Sequence, residues 1–219
     1  MAKIDDYSGA AAGAVCELGV NGARTVIVAR GYGYSVGGIT GTIGTGLAAN
    51  SSVFAARLDP GTTKRAFIER LRMQFTGVAA ATVPVTVGRR LELYRGSGAA
   101  ASGGTSMPVG VPKHGSGDTS EMSVANGGDM RIATTTALTI TGITFETNPI
   151  ATMTLTHVGG SGAFFEQICE FSAPGSQPIQ LDPGQLIAIR NTIAMDAGLT
   201  WQLGVTMDWF EAPSLDFTG

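Results

Sequence analysis

Leu199-Thr200-Trp201-Gln202-Leu203-Gly204-Val205-Thr206-Met207-Asp208-Trp209-Phe210 alternates without a slip. Trp201, Leu203, Val205, Met207 and Trp209 hold one parity; Gln202, Gly204, Thr206, Asp208 and Phe210 hold the other. Successive side chains of a β-strand project to opposite faces. Large apolar residues kept in step over this length predict a core strand with one dry face.

A second stretch repeats the pattern. Phe67, Glu69, Leu71, Met73 and Phe75 alternate with Ile68, Arg70, Arg72 and Gln74. This predicts a half-buried strand whose inner face carries Glu69 at its rim. Pro60-Gly61 sets a turn ahead of it. Residues 89–95 follow the same rule, with Leu91 and Leu93 inward and Arg90, Glu92 and Tyr94 outward. Further strands are predicted at 25–29, 138–145 (bent at Gly142), 153–158, 164–171 and 186–191, with a turn at Asp196-Ala197-Gly198.

Three glycine-rich segments separate these strands. Residues 1–22 contain Ile4, Tyr7, Val15, Leu18 and Val20 as their large apolar residues and read as an arm lying on a partner. Residues 31–46, with Tyr32 and Tyr34, read as a surface loop or arm. Residues 96–128 show no periodicity and read as a long functional loop. The reading is all-β: about eight to ten short strands without an amphipathic helix, a jelly-roll-like antiparallel β-sandwich with an N-terminal arm and long Gly-rich loops. The expected divisions are an arm at 1–22, the sandwich at 23–212 and a tail at 213–219.

Composition narrows the function classes. Glycine makes up 32 of 219 residues, twice the usual ~7 %. Charged residues are 14 %, well below the typical ~25 %, while mean hydropathy is +0.19. Such a chain buries a core but has little charge to keep its remaining surface wet, so self-association as a dimer or trimer is expected. The net charge of −3 argues against a general nucleic-acid binder, which is usually strongly basic. There is no apolar run long enough for a membrane span. No secretory h-region follows Lys3, Asp5 and Asp6, so synthesis in a cytoplasm is expected. Cys16 and Cys169 are too few for a disulfide framework; both read as free thiols, with Cys169 a small core residue.

The supply of catalytic chemistry is thin. His114 and His157 are the two imidazoles; the first reads as solvated loop, the second as a strand-rim residue. His114 with Asp118 lacks a third ligand for a metal. Gly31-Tyr32-Gly33-Tyr34-Ser35-Val36 has Val where a dinucleotide loop requires its third glycine. Asp59-Pro60-Gly61-Thr62-Thr63-Lys64 falls short of a phosphate loop and reads as a turn into a strand. No Gly-x-Ser-x-Gly elbow exists, and the Asn50-Ser51-Ser52 sequon carries no meaning without a secretory signal. A non-enzymatic protein without cofactor or metal is therefore expected.

One charge asymmetry is distinct. From 57 to 95 there are eight bases (Arg57, Lys64, Arg65, Arg70, Arg72, Arg89, Arg90, Arg95) against three acids (Asp59, Glu69, Glu92). If the strands holding Arg70, Arg72 and Arg90 are neighbours, they form a basic stripe. It reads either as a solvated face of weak ion pairs or as a docking surface for an acidic partner. Candidate partner-contact residues are Arg57, Lys64, Arg65, Arg70, Arg72, Arg90, Tyr7, Tyr32 and Tyr34. A carbohydrate-binding sandwich would use Trp201 and Trp209 for stacking, although their alternation places them inward.

Gln177-Pro-Ile-Gln-Leu-Asp-Pro-Gly-Gln-Leu-Ile-Ala-Ile-Arg190, with a turn into an aliphatic strand, and 199–211, ending Trp209-Phe210-Glu211, resemble the closing strands of tailed-bacteriophage virion structural proteins. Phe54-Ala-Ala-Arg57 and Arg65-Ala-Phe-Ile-Glu-Arg-Leu-Arg72 are similar to the arginine-bearing early strands of such proteins. The same turn-strand grammar occurs in C1q/TNF-like jelly rolls. The resemblance implies a structural role in a virion: a capsid cement or decoration protein whose partners are the major capsid protein and copies of itself, or else a tail or neck component.

Overall fold

The computed structural model describes residues 15–18, 24–27, 33–44, 46–79, 89–108, 119–155, 164–172, 177–195 and 198–213. Within them the strands are β1 (Val15–Leu18), β2 (Arg24–Ile27), β3 (Gly33–Ile39), β4 (Ser51–Arg57), β5 (Lys64–Ala79), β6 (Arg89–Gly98), β7 (Thr105–Ser106), β8 (Asp129–Ile132), β9 (Ile143–Phe145), β10 (Ala151–Leu155), β11 (Phe164–Glu170), β12 (Ile179–Leu181), β13 (Gln185–Asn191) and β14 (Thr200–Pro213). All named ladders are antiparallel. Among the described residues no helix is long and apolar enough to cross a membrane.

Two sheets face each other across one apolar core. The first runs β11-β5-β14-β3, with β12 continuing the β11 side of β5; the second runs β10-β6-β13-β4-β8-β7, with β9 continuing the β10 side of β6. Numbering β3, β4, β5, β6, β10, β11, β13 and β14 as eight successive strands, the first sheet reads sixth-third-eighth-first and the second fifth-fourth-seventh-second. This winding of two Greek keys is the jelly roll, the architecture expected from the strand grammar.

The longest ladder, β5 with β14, builds the centre. Its inward pairs are Gly77 with Trp201, Phe75 with Leu203, Met73 with Val205, Leu71 with Met207 and Ile68 with Trp209. Trp201, Leu203, Val205, Met207 and Trp209 are all buried, as their parity demands. Phe75 stacks on Trp201 at 5.3 Å and Tyr34 on Trp209 at 5.4 Å.

A bulge corrects the expected phase of β5. The register steps from Asp208–Arg70 to Trp209–Ile68, passing over Glu69. An extra residue in one strand reverses the side-chain parity beyond it. Ile68, expected outward, is therefore in the core. Phe67, expected inward, lies on the other face and stacks on Phe210 at 4.9 Å.

The glycine-rich stretches are also corrected. Part of 31–46 is β3, whose pairing with β14 makes it a sandwich strand and not a loop. A Cβ at Gly38 would stand 2.6 Å from Met107 Cε, and one at Gly41 would stand 2.5 Å from the Thr134 carbonyl oxygen. Glycine here lets the two sheets close. Gly41 N–H donates to Ala133 O at 3.3 Å and Gly44 N–H to Thr135 O at 3.2 Å, joining the sheets along this side. The described parts of 96–128 include β7 and a 3-10 turn at Val124–Asn126. They cross to the far edge and send Met107 and Met122 into the core. Residues 109–118 lie outside the described set.

At the N-terminus, β1 falls inside the expected arm and pairs with β2 in a two-stranded sheet of their own. The strand expected to open the sandwich at 25–29 is represented by β2, which among the described residues joins β1 and not a large sheet; β3 is the first described strand that does. At the other end β14 extends to Pro213.

Candidate interaction surfaces

The basic stripe expected from 57–95 does not exist as one surface. Arg65, Arg70 and Arg72 lie on β5 in one sheet, whereas Arg57 on β4 and Arg90 on β6 lie in the other. Acids brought in by the fold meet these charges. Arg70 Nη2 contacts Asp208 Oδ2 at 2.6 Å, and Arg72 pairs with Glu166. Lys64 pairs with Glu121 at 2.9 Å, Arg65 with Asp182 at 2.8 Å and Arg95 with Glu146 at 2.6 Å. Arg90 stands 3.7 Å from Glu92. The exposed pairs among these, Arg72–Glu166 and Arg95–Glu146, contribute ~0–1 kcal/mol each. Apart from Glu92, the carboxylates that offset the local excess of bases come from 51 to 138 residues away, as in Arg95–Glu146 and Arg70–Asp208. Arg57 differs: among the described residues its guanidinium makes no direct ion pair, its Nε is buried without a hydrogen-bond partner, and Asp129 lies opposite it on β8.

Tyr34 is corrected from a contact candidate to a core residue, 1 % exposed. Its position on β3 has the inward parity that a loop reading could not supply. Tyr7 and Tyr32, like His114 and His157, lie outside the described residues. Trp201 and Trp209 are buried and cannot stack on a sugar without unfolding the core. Cys169 is free and buried, and burial raises its thiol pKa.

The outward side of the first sheet is the clearest candidate surface. Across β11, β5 and β14 it presents Glu166, Gln74 and Gly204 in one row and Ile168, Arg72 and Thr206 in the next. Gln74 Nε2 donates to Glu166 Oε1 at 3.1 Å, so this carboxylate is held by two neighbours. Phe164 and Ile168 remain 56 % and 49 % exposed on the same face of β11. Ile39, opposite Gly204, is exposed at the other edge.

Two clusters were not legible beforehand. On the outward side of the second sheet, the Arg190 guanidinium lies 4.2 Å from the Phe145 ring centroid and 5.2 Å from that of Tyr94. Tyr94 O–H donates to Glu92 Oε2 at 2.8 Å, and Arg190 Nη2 donates to Asn50 O at 3.2 Å. This cover explains why Glu92 and Tyr94, expected outward, are buried. Burial lowers the Arg190 pKa and raises that of Tyr94, the latter reinforced by Glu92.

The second cluster centres on Glu211, a buried carboxylate at the end of β14. Ser120 Oγ donates to Glu211 Oε1 at 2.6 Å, Glu121 N–H donates to both oxygens at 3.1 and 3.0 Å, and Trp209 Nε1–H donates at 3.1 Å. Burial raises the Glu211 pKa and these bonds oppose the rise. The Trp-x-Glu ending quoted from the sequence is therefore an indole–carboxylate contact within one strand face. The partners at 120 and 121 had no local signal.

Among the described residues no group of three or more His, Cys, Asp or Glu side chains converges to hold a metal ion. No family model matches the chain, and no curated protein matches it.

Proposed function

We propose that the chain is a non-enzymatic structural protein of a virion, a cement or decoration protein that binds the lattice of the major capsid protein and copies of itself at the capsid surface. The observation that carries this reading is the outward side of the β11-β5-β14-β3 sheet, where exposed apolar residues sit among arginine–carboxylate pairs on a jelly-roll framework. Such a mixed face suits broad protein contact, since interfaces of assembling proteins combine apolar area with paired polar groups. The resemblance of 54–57, 65–72, 177–190 and 199–211 to tailed-phage virion proteins supports the same assignment. Residues 1–22 have few large apolar side chains of their own, which suits an arm laid on a neighbouring subunit, and repetition over a lattice adds avidity.

The test adds purified chain to capsids lacking it and measures occupancy by co-sedimentation, together with the capsid disruption temperature. Saturable binding that raises the disruption temperature is expected. Recovery only in the tail fraction of dissociated virions would reassign it to a tail, neck or baseplate component. Absence from particles altogether would overturn the reading.

A further inference from the structure

We infer that β11 is a self-pairing edge: two copies of the chain join by laying β11 antiparallel against β11, about a two-fold axis through Glu166. The inference deepens the self-association part of the reading above and is independent of the capsid part.

The sandwich has unlike sides. Along β3 and β8 the sheets are joined by the Gly41 and Gly44 hydrogen bonds. Along β10 and β11 each sheet ends in an edge strand, and among the described residues no strand pairs with the outer side of β11. Edge strands of soluble proteins are usually blunted by charged side chains (especially Lys), Pro, a bulge or a cover, because a free edge is a template for another chain. The β11 sequence, FFEQICE, contains neither Lys nor Pro; its charges are Glu170 and Glu166, the latter paired with Arg72 of its own sheet. Its ladder to β5 runs without a register shift from Phe164–Thr76 to Glu170–Arg70. Its outward face carries Phe164 and Ile168, 56 % and 49 % exposed. Val78, two residues beyond Thr76 on β5, is 43 % exposed.

The strand's own pattern selects a second copy as occupant. With Glu166 on the axis, antiparallel pairing sets Phe164 of each copy opposite Ile168 of the other, so both exposed apolar residues are covered twice over. Directly opposed side chains are the unit of sheet stabilisation, and an isologous two-fold contact uses the same patch on both subunits. The two Glu166 carboxylates then meet, but each is already held by Arg72 and Gln74 of its own sheet. An axis through Gln167 would set Phe164 opposite Glu170 and Ile168 opposite Glu166, placing apolar groups against carboxylates. The Glu166 axis is therefore preferred, and it joins the two β11-β5-β14-β3 sheets into one.

The experiment uses the purified full chain. Sedimentation velocity over a concentration series is expected to show a dimer, and the Phe164→Lys/Ile168→Lys double variant a monomer with wild-type near-ultraviolet circular dichroism. A position-specific arm uses Glu166→Cys in a Cys16→Ser background under mild oxidation. Directly opposed strand residues have Cα atoms ~4.5–5.5 Å apart, within the ~4.4–6.8 Å range of disulfides. A covalent dimer is expected from Glu166→Cys. Glu170→Cys should give none, because its two copies would lie roughly 26 Å apart along the strands at ~3.3 Å per residue. A monomer at every concentration, a dimer unaffected by the folded lysine variant, or cross-linking at 166 no better than at 170 would each overturn the inference. Should the lysine variant misfold, the cysteine comparison decides. None of these outcomes depends on capsid binding.

Discussion

Trp209 donates its indole Nε1–H to the carboxylate of Glu211, two residues further along the same strand, at 3.1 Å. The acceptor is also held by Ser120 and the Glu121 backbone. The last core tryptophan is thus tied to the chain that returns from the glycine-rich segment, and Lys64 reinforces the junction through Glu121.

Burial raises the Glu211 pKa above its ordinary value of 4.5. Between that value and the raised one, the folded chain binds more protons than the unfolded chain. Stability then falls as pH rises through this window and is free of the penalty below it. The wild-type minus Glu211→Gln difference in urea midpoint should show this downward slope; a flat difference would count against a raised pKa. Glu211→Ala should destabilise by about 1–3 kcal/mol for a buried donor left unpaired.

Trp209→Ala should cost ~3–5 kcal/mol, because the ring is buried and stacked on Tyr34. Urea unfolding monitored at Trp201 would measure it. Wild-type stability would show that this face of β14 is not the core face.

Gly41→Ala should be more damaging than Gly38→Ala. The new methyl at 41 meets a backbone carbonyl, whereas that at 38 meets the end of a flexible methionine. Overpacking costs typically ~1–3 kcal/mol, and the first variant should lie in that range. Equal thermal stabilities of the two variants would contradict the closure described for this side.

Arg190 and Phe145 should be energetically coupled. A double-mutant cycle with Arg190→Ala and Phe145→Leu, read by chemical denaturation, should return about 0.5–2 kcal/mol for a cation over a ring. Additive effects would mean that Arg190 is held by the Asn50 carbonyl and the Tyr94 ring and not by Phe145. By contrast, Asp208→Asn should change stability by less than ~1 kcal/mol, as exposed pairs do.

Period-two patterning alone determined that β14, β6 and most of β5 are strands, and which face of β14 is dry. A two-residue repeat is local and survives in any fold that buries one side. It failed at Ile68 and Phe67, because a bulge such as that at Glu69 depends on the register with β14. It also failed at β3, where glycine was needed for close approach of the second sheet and left little hydrophobic pattern to read. The alanine-rich β4 was legible only through resemblance, since Ala55 and Ala56 fill space set by neighbouring strands. Charge was the least local property. The arginines between 57 and 95 looked like one basic stripe, but jelly-roll winding assigns β5 and β6 to opposite sheets and supplies Asp208, Glu166, Asp182 and Glu146 from distant segments. Tertiary structure alone decided which charges were neutralised and which strand edge has no partner among the described residues, because both depend on what lies beside a strand and not on the residues within it.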